Sequence, residues 1–262
     1  MASPKSSHKP VVLSIAGFDP SSGAGVTADI KTISAHKCYG ISCITALTVQ
    51  STRGVLRVDP IEGRIITETL EELAVDFDIG AVKIGMLGSA EVAWAVAAFL
   101  KRHRLKHVVL DPILKSSSGA EMISKDGLVL LKERLVLRAT VITPNIAEAA
   151  ALSEMEVSNS EQMNEAALRL QRMGAANVVI TGGHLDPPLD LVAQKGRAAV
   201  ILEGKKIFSP STHGTGCAFS TSLACNLAKG KSLLDSARAA KIYVEAALHK
   251  PISMGTGVGP LV

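Results

Sequence analysis

The stretch from Val11 to Ala35, VVLSIAGFDPSSGAGVTADIKTISA, decides the fold. It opens with the short apolar run from Val11 to Ala16, passes through a loop rich in Asp, Pro, Ser and Gly, and closes with helical spacing from Ala24 to Ala35. Short apolar runs without polar alternation are typical of strands that are buried on both faces of a parallel sheet. The stretch therefore predicts a strand, a loop and a helix in that order.

The same order recurs along the chain and then changes near the end. Further short apolar runs lie at 42–49, 81–84, 107–110, 141–143 and 177–180. Segments with helical spacing separate them, at 65–75, 91–101, 125–135, 148–152 and 161–173. Beyond Thr181 the sequence predicts a hairpin from the runs 198–202 and 205–208, and then two closing helices at 216–229 and 233–249. The alternation predicts an α/β fold with a mostly parallel central sheet and helices on both faces.

The domain organisation follows from what does not interrupt this pattern. No linker, repeat or low-complexity tract divides the sequence, and 262 residues can bury one large core. We therefore expect a flexible N-terminal tail at 1–9 and a single domain at 10–262.

Composition and charge exclude several classes of partner. Hydrophobic residues make up 47% and charged residues 20%, which is too apolar for a disordered chain. Aromatic residues make up 3%, too few to build a surface that stacks bases or sugars. The net charge of +4 is scattered rather than clustered, so neither nucleic acid nor a membrane surface is an expected partner. With no signal-peptide pattern, no apolar run long enough for a membrane helix and no Cys-x-x-Cys, the sequence predicts a cytoplasmic protein.

The loop after the first predicted strand is glycine-rich and leads into a helix. Its Gly23-x-Gly25-x-x-Ala28 pattern superficially matches a dinucleotide-binding fingerprint. That fingerprint also needs an acidic residue about 20 positions further on, and no Asp or Glu lies between Asp29 and Asp59. The loop therefore favours backbone amides that approach a small ligand, with Asp29 one helical turn further on. The alternative is a simple turn followed by a solvated Asp29.

Two other strand ends carry side chains that suit a heterocycle. Ligands of open α/β sheets bind outside the carboxyl ends of the strands, where these residues are expected. Gln50, in TVQST at 48–52, has an amide that can donate and accept hydrogen bonds at once. Met86 follows the run at 81–84 and could line an apolar slot. The alternatives are a strand end that turns into solvent at Gln50 and a core methionine at Met86.

The strongest candidate site is 212–220, THGTGCAFS, a glycine-rich turn that leads into a helix. Free amides and the positive end of a helix dipole make an anion-binding site. A thiol in the first helical turn, here Cys217, is expected to have its pKa lowered. The alternative is a small buried cysteine that begins a helix. No Gly-x-x-x-x-Gly-Lys-[Ser/Thr] occurs, which excludes a P-loop.

These motifs and others, from about Val11 onward, resemble the hydroxymethylpyrimidine and phosphomethylpyrimidine kinases of thiamin biosynthesis. In order, they lie at 16–32, 39–40, 45–52, 83–86, 111–112, 143–149, 182–185, 213–217 and 257–260. The resemblance implies a ribokinase-like three-layer sandwich that uses ATP and Mg²⁺. It also implies phosphorylation of a pyrimidine alcohol and then of its monophosphate, and a homodimer.

The resemblance further implies roles for individual residues. Asp29 and Gln50 would hydrogen-bond the aminopyrimidine, while Met86 would pack on its ring. Cys217 would face the acceptor oxygen. The candidate sets, in which Lys115 and Thr181 are departures from the family pattern, are Gly214, Thr215, Gly216 and Cys217 for catalysis; Gly17, Asp29, Gln50, Met86, Ile113 and Lys115 for the substrate; Asn145, Thr181, Thr215 and Lys241 for the nucleotide; and Asp111 and Glu148 for the metal, with Asn145 helping to organise its water.

Two places depart from the family pattern. Thr181 stands where many relatives have a lysine thought to contact nucleotide phosphates. Lys115 and Ser116 occupy a loop where relatives more often have small or apolar residues. We hypothesise that Lys115 supplies the cation, either to ATP or to the phosphate of the pyrimidine monophosphate, and the second choice would favour the second phosphorylation. The alternative is a solvent-facing Lys115. At the level of function, the alternatives are a pyridoxal kinase and a non-catalytic pyrimidine-binding protein.

Overall fold

In the computed structural model, which describes residues 9–116 and 118–261, one sheet runs through the molecule. These residues form nine strands: β1 (Val11–Phe18), β2 (Tyr39–Ser51), β3 (Gly54–Pro60), β4 (Ile79–Ile84), β5 (Val108–Leu110), β6 (Val141–Ile142), β7 (Asn177–Gly182), β8 (Leu189–Gln194) and β9 (Val200–Glu203). They also form eight α-helices: α1 (Gly25–Ala35), α2 (Gly63–Asp76), α3 (Ala90–Arg102), α4 (Lys125–Leu130), α5 (Ile146–Ser153), α6 (Ser160–Arg172), α7 (Thr215–Ala228) and α8 (Leu233–Leu248). A π-helical turn (Leu131–Leu135) and a 3₁₀ turn (Val136–Arg138) continue α4.

The predicted tail and domain include residues that the structure does not describe. Residues 1–8 of the predicted tail lie outside the described residues, as does residue 262. The single domain over 10–262 stays a prediction. Among the described residues, no helix has the length and apolar character needed to cross a membrane.

The central sheet is mostly parallel, as the sequence predicts. Its strand order is β3-β2-β1-β4-β5-β6-β7-β8-β9. β1 pairs in parallel with β2 and β4, and parallel pairing continues through β5 and β6 to β7. The outer pairs β2–β3, β7–β8 and β8–β9 are antiparallel. The antiparallel strands therefore lie at the two edges of the sheet.

The structure differs from the sequence prediction at these two edges. The edge strand β3 was not predicted, because exposed residues such as Leu56 and Arg57 break the apolar alternation of a half-buried strand. At the other edge, β8 and β9 form the hairpin, and the run predicted as a strand at 205–208 has no strand structure. β8 was not predicted because Asp190, a buried acid, interrupts its apolar run, so hydropathy alone does not identify the strand.

Apolar side chains cover both faces of the sheet. On one face, α2 to α6 pack a cluster that includes the fully buried Leu70 and Phe99. On the other face, α1, α7 and α8 pack a second cluster around Leu223 and Ala237. Each large side chain buried in this way contributes roughly 1.5–3 kcal/mol to stability. The result is the three-layer arrangement of helices, sheet and helices that the resemblance implies.

The start of α7 is fixed against the loop that follows β1. Gly214, just before the helix, has φ +87°, a left-handed conformation that glycine adopts without strain. A Cβ at Gly214 would collide with the carbonyl oxygen of Gly23, so the two glycine-rich loops touch only because residue 214 has no side chain. The first turn of α7 therefore lies beside the carboxyl end of β1.

Candidate active site

A cavity of about 610 Å³ lies at the carboxyl edge of the parallel strands. It is lined by the loop after β1, the ends of β2, β4, β5, β6 and β7, and the first turn of α7. Of the fifteen residues implied for the site, thirteen line this cavity: Gly17, Gln50, Met86, Asp111, Ile113, Lys115, Asn145, Glu148, Thr181, Gly214, Thr215, Gly216 and Cys217. The other two, Asp29 and Lys241, do not.

Asp29 lies beneath the cavity rather than in its wall. Its side chain is fully buried, and its two oxygens accept hydrogen bonds from Lys83 Nζ at 2.9 and 3.1 Å, Ser14 Oγ at 2.6 Å and Thr221 Oγ1 at 2.7 Å. A buried carboxylate needs such partners, and here they use its oxygens within the protein. Asp29 does not line the cavity in this arrangement, and its hydrogen bond to the pyrimidine stays a prediction.

Lys83 is the residue at the floor of the site that the sequence analysis left without a role. Its side chain is fully buried and lines the cavity. Burial disfavours its charge, but Asp29, Cys217 and Asp111 more than compensate and raise the pKa of Lys83 above its ordinary value. A lysine inside an apolar strand run, as in AVKIG at 81–85, is the signal that could have identified it.

Lys241 pairs with Asp190 of β8 instead of lining the cavity. Its Nζ lies 2.8 Å from Asp190 Oδ2, and its side chain is only 13% exposed. Asp190 also accepts a hydrogen bond from the backbone N–H of Gly182 at 3.0 Å. In this arrangement the carboxylate of Asp190 holds the ammonium group of Lys241, and contact between Lys241 and the nucleotide stays a prediction. Lys241 is therefore connected to the site only indirectly, through Asp190, which binds the backbone of Gly182 next to Thr181.

Cys217 lies in the first turn of α7 and is buried. Burial raises the pKa of its thiol to about 12, and the charges of Asp29 and Asp111 add to the rise while Lys83 opposes it. The expectation that the helix N-terminus would lower this pKa is therefore wrong, because the cost of burying a thiolate outweighs the helix dipole. Cys217 presents a neutral thiol to the cavity at neutral pH.

Two buried carboxyl groups, Asp111 and Glu148, line the cavity near the start of α5. Burial raises the pKa of Asp111, while burial and Asp111 together raise the pKa of Glu148 to about 8. Asn145 caps α5 and forms a capping box with Glu148, with hydrogen bonds of 2.9 Å in both directions. Carboxylates that face each other's charge in this way suit Mg²⁺, which binds through one or two carboxylates together with water and substrate phosphates. In the part of the chain that the structure describes, no group of three or more His, Cys, Asp or Glu side chains could hold a metal on its own.

Part of the cavity wall is formed by apolar side chains, with the polar Gln50 beside them. Met86 is 4% exposed and forms a small cluster with Ala46 and Met122, against which Ile113 packs. Met86 therefore lines the cavity, as the first interpretation of the sequence predicts, and is also a core residue, as the alternative predicts. Gln50 lies at the edge of this apolar wall, within hydrogen-bond distance of Thr48 and of His213.

Lys115 and Thr181, the two departures from the family pattern, both line the cavity. Lys115 Nζ lies 3.3 Å from Glu121 Oε1, and both side chains are largely exposed. Thr181 is held through its backbone, whose N–H donates to the carbonyl oxygen of Pro144 at 3.0 Å. Lys115 is therefore a solvent-facing lysine and a cavity residue at once.

Known proteins match this chain over nearly its whole length. The family model described as phosphomethylpyrimidine kinase matches residues 19–262. The chain is 40% identical over 255 residues to the hydroxymethylpyrimidine/phosphomethylpyrimidine kinase of Haemophilus influenzae, covering 95% of this chain and 94% of that one. It is also 40% identical to the thiamine biosynthesis bifunctional protein ThiED of Geobacter sulfurreducens, covering 95% of this chain and 51% of that protein, so it spans about half the length of this relative.

Solved structures share the fold over almost the whole chain. A phosphomethylpyrimidine kinase from Clostridium difficile superposes with a TM-score of 0.81 at 33% identity, covering 91% of this chain and 99% of that one. A pyridoxal kinase from Bacillus subtilis, solved as an ADP complex, superposes with a TM-score of 0.87 at 34% identity, covering 96% of each chain. The ribokinase-like α/β fold is thereby confirmed. Since the family model and the relatives span nearly all of its length, the chain belongs to the phosphomethylpyrimidine kinase family.

Proposed function

We propose that this protein transfers the terminal phosphoryl group of ATP to 4-amino-5-hydroxymethyl-2-methylpyrimidine phosphate, forming the diphosphate for thiamin biosynthesis. The free pyrimidine alcohol is proposed as its second, poorer acceptor. The observation that carries the proposal is the neutral Cys217 thiol at the N-terminus of α7, in a cavity that also holds Asp111 and Glu148.

The neutral thiol suits an acceptor that is already a phosphate. The second pKa of a phosphate monoester is about 6, so at neutral pH the acceptor is anionic and needs little help in losing a proton. A carboxylate in the place of Cys217 would repel it, by about 4 kcal/mol for unit charges 4 Å apart at an effective dielectric of 20. The free backbone amides of Gly216 and its neighbours in the first turn of α7 would instead attract the transferring group.

Phosphoryl transfer depends mostly on positioning and on neutralising charge. In this chain Asp111 and Glu148 would hold Mg²⁺, which when bound would neutralise charge on the nucleotide phosphates. Asn145 holds the Glu148 carboxylate through the capping box. Ser220 Oγ, at 2.9 Å, does the same for Asp111. ATP is the proposed donor because the related pyridoxal kinase of Staphylococcus aureus has been solved with ADP and with AMP-PCP.

Lys115 is proposed to bind the phosphate of the pyrimidine monophosphate, which would make that substrate better than the free alcohol. The residue lines the cavity beside the apolar wall, and its partner Glu121 is itself exposed. Exposed ion pairs contribute no more than about 1 kcal/mol, so Lys115 can leave Glu121 for a phosphate at little cost. Thr181, which also lines the cavity, cannot supply a charge.

A pyridoxal kinase is the second candidate function. It is favoured by the similarity to the Bacillus subtilis pyridoxal kinase, whose TM-score is 0.87. An assay that couples ADP release to a colour change, run with the pyrimidine monophosphate, the pyrimidine alcohol and pyridoxal in parallel, tests both. The proposal expects the highest kcat/KM for the monophosphate. A preference for pyridoxal would support the second candidate, and no ADP release with any acceptor would support a non-catalytic binding protein.

The protein is further proposed to act as a homodimer. Leu47, Val49 and Leu56 of the β2–β3 hairpin are apolar and 44–86% exposed, beside the exposed Arg57–Asp59 ion pair, and a second copy would cover them. Light scattering of the purified protein should give the dimer mass, and Val49→Glu should shift it to the monomer. Val75→Glu, at an exposed apolar position on α2, is the matched control that should stay dimeric. The cytoplasmic location expected from the sequence stays a prediction.

A further inference from the structure

Two hydrogen-bonding groups flank Gln50 beside the apolar wall of the cavity. On one side, His213 Nε2 lies 3.2 Å from Gln50 Nε2 and 2.9 Å from Asp19 Oδ2. On the other side, Thr48 Oγ1 lies 3.2 Å from Gln50 Oε1 and 2.9 Å from the carbonyl oxygen of Phe18. Both terminal atoms of the amide therefore have a partner within the protein.

The hydrogen on His213 follows from the state of Asp19. Asp19 accepts hydrogen bonds from the backbone N–H groups of Ser21 at 2.8 Å and Ala24 at 2.9 Å. Burial works against its charge, but the hydrogen bonds from His213 and Ser21 hold the pKa of Asp19 below its ordinary value. An ionised carboxylate only accepts, so His213 Nε2 must carry a hydrogen that it donates to Asp19.

This hydrogen fixes which way the Gln50 amide points. The oxygen and nitrogen of a terminal amide are assigned from their hydrogen bonds. An Nε2–H group cannot accept from an amide nitrogen, so the amide oxygen of Gln50 must face His213. The hydroxyl of Thr48 gives its single hydrogen to Phe18 and can only accept from Gln50, so the amide nitrogen must face Thr48. The two sides require the same orientation, in which the oxygen and nitrogen of the Gln50 amide exchange the places they have in the structure.

We infer that His213, held by Asp19, is a positioning residue that sets the orientation of the Gln50 amide and thereby selects the substrate ring. The amide then offers the cavity one N–H donor and, beside it, one free lone pair on oxygen. An aminopyrimidine matches this pair, because its ring nitrogen accepts and the neighbouring amino group donates. Pyridoxal has no amino group beside its ring nitrogen and makes a poorer match. The selection of the ring rests on the proposed function, whereas the amide orientation does not.

The backbone ties His213 to the anion-binding turn and to the end of the chain. His213 directly precedes Gly214, its N–H donates to the carbonyl oxygen of Gly259 at 3.1 Å, and its own carbonyl oxygen accepts from the N–H of Leu261 at 3.0 Å. Its ring fits only because residue 23 is glycine, since a Cβ at Gly23 would collide with the ring. Gly23→Ala should therefore displace the ring without altering the chemistry of either His213 or Gln50.

The orientation is tested on the ligand-free protein by nitrogen-15 NMR. The spectrum of the imidazole nitrogens is recorded for the full-length protein, and the His213 signals are identified by their loss in His213→Gln. A hydrogen on Nε2 supports the inference. A bare Nε2, with the hydrogen on Nδ1, overturns it whether or not the protein phosphorylates a pyrimidine.

The effect on substrate choice is tested by a double-mutant cycle. His213→Ala should raise KM for the pyrimidine monophosphate roughly five- to tenfold, the effect of one misplaced hydrogen bond, with KM for ATP changed less than about twofold. In a Gln50→Ala background the same change should have almost no further effect on that KM, because His213 acts through Gln50. His213→Gln, which keeps a donor, should restore part of the loss, and Gly23→Ala should reproduce it. Independent, multiplicative effects of His213→Ala and Gln50→Ala would overturn the positioning role. Absence of pyrimidine turnover by the unaltered protein would overturn the proposed function and the ring selection, and leave the amide orientation to the NMR result.

Discussion

Replacing Cys217 by aspartate should separate the two phosphorylation steps. The carboxylate would occupy the place of a buried thiol at the start of α7, where Lys83 favours a negative charge while burial, Asp29 and Asp111 disfavour it, so the assay is run at a pH high enough to ionise this carboxyl. At about 4 Å from the incoming phosphate, and an effective dielectric of 20, the repulsion is about 4 kcal/mol. Since about 1.4 kcal/mol corresponds to a factor of ten, kcat/KM for the pyrimidine monophosphate should fall roughly a thousandfold. The free alcohol carries no such charge, so its turnover should fall far less.

Cys217→Asn is the matched control, because asparagine has the shape of aspartate without its charge. Steady-state ADP release is measured for the unaltered protein and both variants with each acceptor, and folding is checked by the unfolding midpoint. The expected result is a large gap between the aspartate and asparagine variants for the monophosphate and a small gap for the alcohol. Equal kcat/KM of the two variants on the monophosphate would refute the electrostatic reasoning.

Three further predictions concern charge elsewhere in the molecule. Lys115→Ala should raise KM for the monophosphate roughly tenfold and leave KM for the alcohol unchanged. Lys132→Ala is the control, since it also removes a lysine from an ion pair. Equal losses on both acceptors would contradict the selective role of Lys115. Lys83→Met should destabilise the fold by roughly 3–5 kcal/mol in urea unfolding, because it leaves Asp29 charged and buried without its cation. Adding Asp29→Leu to this variant should recover most of the lost stability. An unchanged urea midpoint for Lys83→Met would contradict the pairing. Burial lowers the pKa of His36 from 6.5 to about 4, so the unfolded chain binds more protons than the folded protein between these pH values. Stability should therefore fall as pH drops from about 6.5 to about 4, by less than about 3 kcal/mol because the ring is partly exposed. Unfolding midpoints of the unaltered protein and of His36→Gln that run parallel over this range would contradict the prediction.

The sequence predicted the parts of the fold that repeat a pattern. Apolar runs such as the one in β1 mark strands buried on both faces, and the helices between them follow the helical period. The edges escaped prediction, because β3 is exposed and β8 contains the buried Asp190, whose partner Lys241 lies 51 positions away. Pairing of that kind depends on the tertiary structure and leaves no local signal.

The same limit applies to the candidate site. Glycine-rich turns and the Gln50 and Met86 positions could be located from their places after strands, since such ends converge on one edge of the sheet. The sequence could not show whether a charged residue faces the cavity or lies beneath it, because Asp29 and Lys83 neutralise each other only once α1 packs on the sheet. The thiol of Cys217 shows the same dependence, since the burial that raises its pKa comes from the whole fold.

The central claim, that the chain phosphorylates an acceptor that is already a phosphate, is tested most directly by identifying the product. Phosphorus-31 NMR of a reaction containing the protein, ATP, Mg²⁺ and the pyrimidine monophosphate shows whether a diphosphate forms. The account predicts two coupled diphosphate signals that grow in step with ADP, and faster than monophosphate forms from the free alcohol under the same conditions. A monophosphate signal that stays unchanged while the protein phosphorylates the alcohol or pyridoxal would contradict it.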